Sequence, residues 1–118
     1  MIDNSIDIEE MYKNGMKLKN GEGVDIDKKG ASEYFKMAAD NGHIESMYEY
    51  GIMLYKGDGI DIDKVGSLPY IKKAAYNGHT KSIIQYTNMI FNEIGVKRDL
   101  KEIIRYLKMA ADLGDTEA

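Results

Sequence analysis

The chain repeats itself every 36 residues without a gap. Residues 10–45 fall on 46–81 with half of the positions identical, among them Met11/Met47, Tyr12/Tyr48, Gly15/Gly51, Gly21/Gly57, Asp27/Asp63, Tyr34/Tyr70 and Asn41-Gly42-His43/Asn77-Gly78-His79. A third copy, 82–117, keeps the register through Tyr86, Gly95, Asp99, Tyr106, Ala110-Ala111 and Gly114. A period of this length holds two helices and two turns, the signature of a helix-turn-helix unit. One such unit cannot bury its own apolar face, so units stack on their neighbours. The predicted fold is all-α: one repeat domain over residues 1–118, a solenoid of three 36-residue units, with Ala118 standing where a fourth would begin.

Each half of the unit carries a helical signal. Met47, Tyr50, Gly51 and Leu54 recur at i, i+3, i+4 and i+7, one face of a 3.6-residue period. Gly66, Tyr70 and Ala74, flanked by Ser67, Ile71 and Ala75, form a second stripe. A glycine inside a helix costs up to about 1 kcal/mol relative to alanine. Its recurrence at positions 15 and 51 therefore predicts a close approach of two backbones.

The punctuation agrees with this division. Gly21-Glu22-Gly23 and Gly57-Asp58-Gly59 end the first helices with residues that accept positive φ. Asp27, Asp63 and Asp99 stand at N-cap positions, where a carboxylate accepts from free backbone N–H groups. Asp7-x-x-Glu10 and Asp99-x-x-Glu102 resemble capping boxes. Asn41-Gly42, Asn77-Gly78 and Leu113-Gly114 close the second helices. Pro69 is the misfit, the sixth residue of a helix capped by Asp63. That helix is expected to bend, or to start late with Ser67 as its cap.

With Tyr-Gly-x-x-Leu, Gly-x-Gly-[Val/Ile], the aspartate, the tyrosine and Lys-x-Ala-Ala before Asn-Gly in place, the chain resembles the Sel-one-like repeat, a relative of the tetratricopeptide repeat. The resemblance covers roughly residues 9–117. It departs in the third copy, where Thr87 replaces the helix glycine, Glu93 the first loop glycine and Glu102 the small residue. That copy is expected to pack less regularly. The resemblance implies a right-handed α/α superhelix that docks other proteins, with the first helix of each unit lining the concave face. The residues on that face outside the core stripe would be Tyr12, Met16, Tyr48, Ile52, Tyr55, Ile84, Asn88 and Phe91. As a binding groove they would leave Tyr48 and Tyr55 with few internal contacts. As packing between repeats they would fill gaps.

The ends differ. Asn14, Lys17 and Lys19 stand where the second copy has Tyr50, Met53 and Tyr55, as an N-terminal capping repeat requires. At the other end no polar closing helix follows Ala111. Ile103, Ile104 and Leu107 are expected to offer an apolar surface for self-association.

Chemistry-bearing motifs fail one by one. The chain has no cysteine, which excludes disulfides and thiolate metal sites. A calcium loop begun at Asp61 places Val65 and Lys72 at ligand positions, and one begun at Asp25 meets Lys29 and Lys36. Glycine falls correctly at Gly30 and Gly66, but the ligands are missing. His43 and His79 sit in equivalent turns one repeat apart, about 10 Å by helix diameters, too far to share a metal at ~2 Å. Their expected role is beside the next helix cap. The glycine loops lack the Lys-Ser/Thr of a phosphate cradle, and no nucleophile or zinc-protease signature is present.

Lys97, Lys101, Arg105 and Lys108 could line one basic face, but the net charge of −4 argues against nucleic acid and anionic membranes. The start, MIDNSIDIEE, carries acids where a secretory leader is basic and apolar. A non-enzymatic, cofactor-free and metal-free scaffold in a reducing, cytoplasmic compartment is the expectation. Its partner would be another protein or peptide. The alternative is a structural spacer within a longer array, with no ligand of its own.

Overall fold

The computed structural model describes residues 7–92 and, beyond them, positions 101, 104, 105, 108, 109 and 112, all six helical. Five helices run through the continuous part: α1 (Ile8–Asn20), α2 (Lys28–Asp40), α3 (Ile44–Lys56), α4 (Lys64–Tyr76) and α5 (Thr80–Phe91). No strand occurs among the described residues. α1 packs on α2 and α3 on α4, and each pair is joined to the next element through α2·α3 and α4·α5. The departures at Glu93 and Glu102 and the Asp99 cap lie outside the described residues.

The helix starts alternate between two devices. Asp27 and Asp63 cap α2 and α4, their carboxylates accepting from Gly30 N (2.9 Å) and Gly66 N (2.8 Å). This cap explains the glycines that looked like calcium-loop glycines. A Cβ at either position would collide with the capping carboxylate itself. His43 and His79 cap α3 and α5 through Nδ1, which accepts from Ser46 N (3.2 Å) and Ser82 N (3.3 Å). Asp7 caps α1 by accepting from Glu9 N. At the other ends, Gly21 and Gly57 are left-handed C-caps with φ of 73° and 69°.

The mid-helix glycines have the predicted packing reason. A Cβ on Gly15 would lie 2.6 Å from the Phe35 ring, and one on Gly51 2.5 Å from Ile71 Cδ1. Phe35 and Ile71 are thereby fully buried, each worth roughly 1.5–3 kcal/mol of apolar transfer. In α5 Thr87 takes the glycine's place, buried, and its hydroxyl donates to Ile83 O at 2.7 Å. This turns a polar side chain inward at no cost in unmet bonds.

The late start expected of α4 does not occur. The helix begins at Lys64 under the Asp63 cap, and Ser67 is fully buried with its hydroxyl donating to Lys64 O. Pro69 stays inside the helix. Its missing N–H would have met the carbonyl of Val65. Both residues are exposed, so water can satisfy that carbonyl.

Candidate functional site

α1, α3 and the start of α5 lie side by side and are held by polar and ring contacts. Lys19 of α1 forms an ion pair with Glu49 of α3 at 2.8 Å. Glu9 of α1 meets Nε2 of His43, the α3 cap, also at 2.8 Å. Tyr12 lies against His43 with ring centroids 4.8 Å apart, and Tyr48 repeats this against His79 at 5.0 Å. The repeat thus places one tyrosine of α1 and one of α3 on the histidine that caps the next first helix.

The eight residues expected on this face divide by position. Tyr12 and Met16 are half-buried against Ala31, Phe35 and Met53. Tyr48, Ile52 and Tyr55 are half-buried against Ile71, Ile83, Tyr86 and their neighbours. Few internal contacts is therefore the wrong description of Tyr48 and Tyr55. Both pack on the core while part of each stays open, and Lys64 Nζ sits 5.1 Å from the Tyr55 ring centre. Ile84, Asn88 and Phe91 on α5 are exposed, Ile84 by 52% and Phe91 by 55%. Ile84 takes the place of Tyr12 and Tyr48. The residue in the place of their histidine is Asp115, outside the described residues.

Between these elements opens a cavity of about 480 Å³. One wall is Tyr12, Glu45, Tyr48 and Glu49, and the other is Gly78, His79, Thr80 and Lys81 at the start of α5. Burial pushes the Tyr12 hydroxyl up to about 12, helped by its hydrogen bond to Glu45 and by the charges of Glu45, Glu49 and Glu9. Tyr48 is also raised, first by burial and then by Glu49, with Lys19 opposing. Burial lowers His79, with Glu45 and Glu49 opposing and Lys81 adding to the effect. A neutral His79 suits its work as a cap, because only an unprotonated Nδ1 can accept from Ser82 N.

Tyr12 and Tyr48 came from the sequence as members of this face. Glu45, Glu49, Thr80 and Lys81 did not, although Glu45 and Glu49 share a helix face at i, i+4 next to Tyr48. That spacing was the available signal. Among the described residues no group of three or more His, Asp or Glu could hold a metal. None of the described helices is long and apolar enough to cross a membrane. The basic positions behave differently from one another: Arg105 donates to the Tyr76 hydroxyl oxygen at 3.2 Å, Lys101 and Lys108 are exposed, and Lys97 is outside the described residues. Ile104 is 65% exposed, while the side chains of Ile103 and Leu107 are outside the described set.

The family model of the Sel1 repeat matches residues 11–43, 44–79 and 88–115, well over half of the chain. The chain belongs to the Sel1 repeat family. Its fold is that of a Sel1 repeat protein from Oxalobacter formigenes, with a TM-score of 0.88 and 24% identity over 94% of this chain and 46% of that one. It is similarly close to a protective antigen of uropathogenic Escherichia coli strains displaying an SLR fold, with a TM-score of 0.85 and 29% identity over 91% of this chain and 23% of that one. The chain thus spans less than half the length of either. A comparison with curated protein sequences finds no match. Sel1 repeat proteins are in general non-enzymatic scaffolds for interactions between proteins.

Proposed function

We propose that this chain is a non-catalytic adaptor that holds a peptide or helix of another protein against the face formed by α1, α3 and α5. The reducing cytoplasm is its proposed setting, since nothing in a cysteine-free chain requires an oxidising one. The observation that carries the reading is apolar surface left open along successive first helices. Ile84 and Phe91 are more than half exposed, and Tyr12 and Tyr48 form a wall of a cavity instead of closing it. Half-open aromatics fixed on helices are suited to bury area against a partner at little cost in ordering. Tyr12, Met16, Tyr48, Ile52, Tyr55, Ile84, Asn88 and Phe91 are the proposed contacts.

The spacer reading draws support from one observation, the packing of Tyr48, Ile52 and Tyr55 on the core. The two separate at Ile84, which is exposed on α5. Peptides selected from a displayed random library against the whole chain should lose binding at least about fivefold on Ile84→Ser, a loss of ~1 kcal/mol. Melting temperature should hold within about a degree. A library that yields no binder, or binders indifferent to Ile84 and mapped elsewhere by amide shifts, supports the spacer. Self-association through Ile104 and its neighbours is proposed separately and would be read as a mass that rises with concentration.

A further inference from the structure

The cavity between α3 and α5 has two walls of opposite character. On the α3 side stand Glu45 and Glu49 beside the rings of Tyr12 and Tyr48. Glu49 is already paired with Lys19, whereas Glu45 is exposed and shares its wall with Tyr12. A carboxylate has four lone-pair positions, which gives an exposed Glu45 room for a further donor. On the α5 side the helix opens its first turn into the cavity. Its early N–H groups have no intrahelical acceptor, and the His79 cap takes only that of Ser82. Lys81 stands on this same wall.

An anion would meet the carboxylates, and a bare cation would meet Lys81 and the positive helix end. A peptide segment satisfies both walls, because it brings carbonyl oxygens with every residue. On the premise that the first-helix face binds peptides, we propose that this cavity is a specificity pocket for a lysine or arginine side chain of the partner. The cation reaches Glu45 across the face of Tyr48, and a backbone carbonyl of the same segment accepts from the first-turn N–H groups of α5. The volume of about 480 Å³ lies within the range of small-ligand clefts, roughly 300–1,000 Å³, and holds one long side chain with its backbone. The chain itself seats amines on tyrosine rings in the same way, with Lys64 over Tyr55 at 5.1 Å and Lys72 over Tyr76 at 5.7 Å.

The test uses the full chain, isotopically labelled, titrated with three capped tripeptides: acetyl-Gly-Lys-Gly-amide, its norleucine counterpart and its glutamate counterpart. The lysine peptide should shift the resonances of Tyr48, His79, Thr80 and Lys81. It should bind about fivefold more tightly than the norleucine peptide, the size of a partly exposed charge pair. Glu45→Gln should abolish that preference, and Glu49→Gln should leave most of it. Shifts of equal size with all three peptides, or a lysine preference that survives Glu45→Gln, overturn the pocket. In that case a groove that still responds at Tyr48 and Ile84 keeps the wider reading. No response on the face to any of the three, together with no library binder, removes both.

Discussion

The two junctions between successive first helices start from the same motif and end in different chemistry. At the first, His43 caps α3, lies on Tyr12 and bonds Glu9, while Lys19 clamps Glu49. At the second, His79 caps α5 and lies on Tyr48 in nearly the same geometry. Glu45, the repeat counterpart of Glu9, instead lines the cavity together with His79. Tyr55 stands where Lys19 was and Gln85 where Glu49 was, so the clamp has no counterpart there. The cavity opens at this second junction, lined by residues of both. Backbone caps repeat because each depends only on residues a few positions apart in the chain. Side-chain networks do not, because each residue answers to neighbours on two sides.

The largest effect should come from removing the ring that both junctions use. Tyr12→Ala and Tyr48→Ala each delete a half-buried aromatic packed on a core cluster. Full burial of such a ring is worth 3–5 kcal/mol, so half burial should cost about 2 kcal/mol in urea unfolding. Equal losses would say that the junctions pack alike and differ only in polar chemistry. A loss near zero at Tyr48 alone would say that the second junction contributes no stability and is open for another purpose.

A smaller effect separates the two histidines. Asparagine caps a helix as well as any residue, so His79→Asn at pH 8 should cost only its ring contact with Tyr48, about 0.5–1.5 kcal/mol. His43→Asn loses the equivalent contact with Tyr12 and also the bond to Glu9, which should cost about 0.5–1.5 kcal/mol more. Acid adds a second distinction. His79 titrates below its ordinary value of 6.5 in the folded chain, so the unfolded chain binds the proton first. Its contribution is complete above that value and is lost as pH falls from there through the folded value. Thermal melts between pH 7.5 and 5 should therefore slope less in His79→Asn than in the parent. An unchanged slope would mean that burial does not hold the imidazole neutral.

Most of the fold could be read from the sequence, because glycines, aspartates and the apolar period act locally. Gly15 and Gly51 announced their close contacts, and Asp27 and Asp63 their caps. Pro69 misled as to a late start, because whether water can satisfy the carbonyl that it leaves unpaired depends on which side of the helix faces water, and sequence alone did not give that side. The candidate site was half legible. Tyr12 and Tyr48 followed from helical spacing, but each is also covered by a histidine roughly thirty residues away at the far end of its own unit. Lys19 was visible only as a polar residue where the second copy has Tyr55. That it reaches Glu49, thirty residues on, is a fact of the superhelix and not of the repeat.

The smallest expected effect tests whether the missing clamp is what distinguishes the second junction. Tyr55→Lys with Gln85→Glu would copy the Lys19–Glu49 pair into it. Tyr55→Lys alone should be destabilising, because a half-buried ring on the core gives way to a charged chain. Gln85→Glu alone should be close to neutral, within about 0.5 kcal/mol. The informative quantity is the coupling between them, obtained from the double-mutant cycle, in which the lost ring cancels. A partly exposed pair should couple by about 0.2–1 kcal/mol in low salt, and most of this should vanish at 1 M salt, where the screening length is about 3 Å. Coupling of that size would mean that the helices already stand at clamping distance and that two residues set the difference. Coupling of zero in low salt would mean that α3 and α5 are spaced differently from α1 and α3. The open cavity would then be a property of the backbone, and no exchange of side chains at these positions would close it.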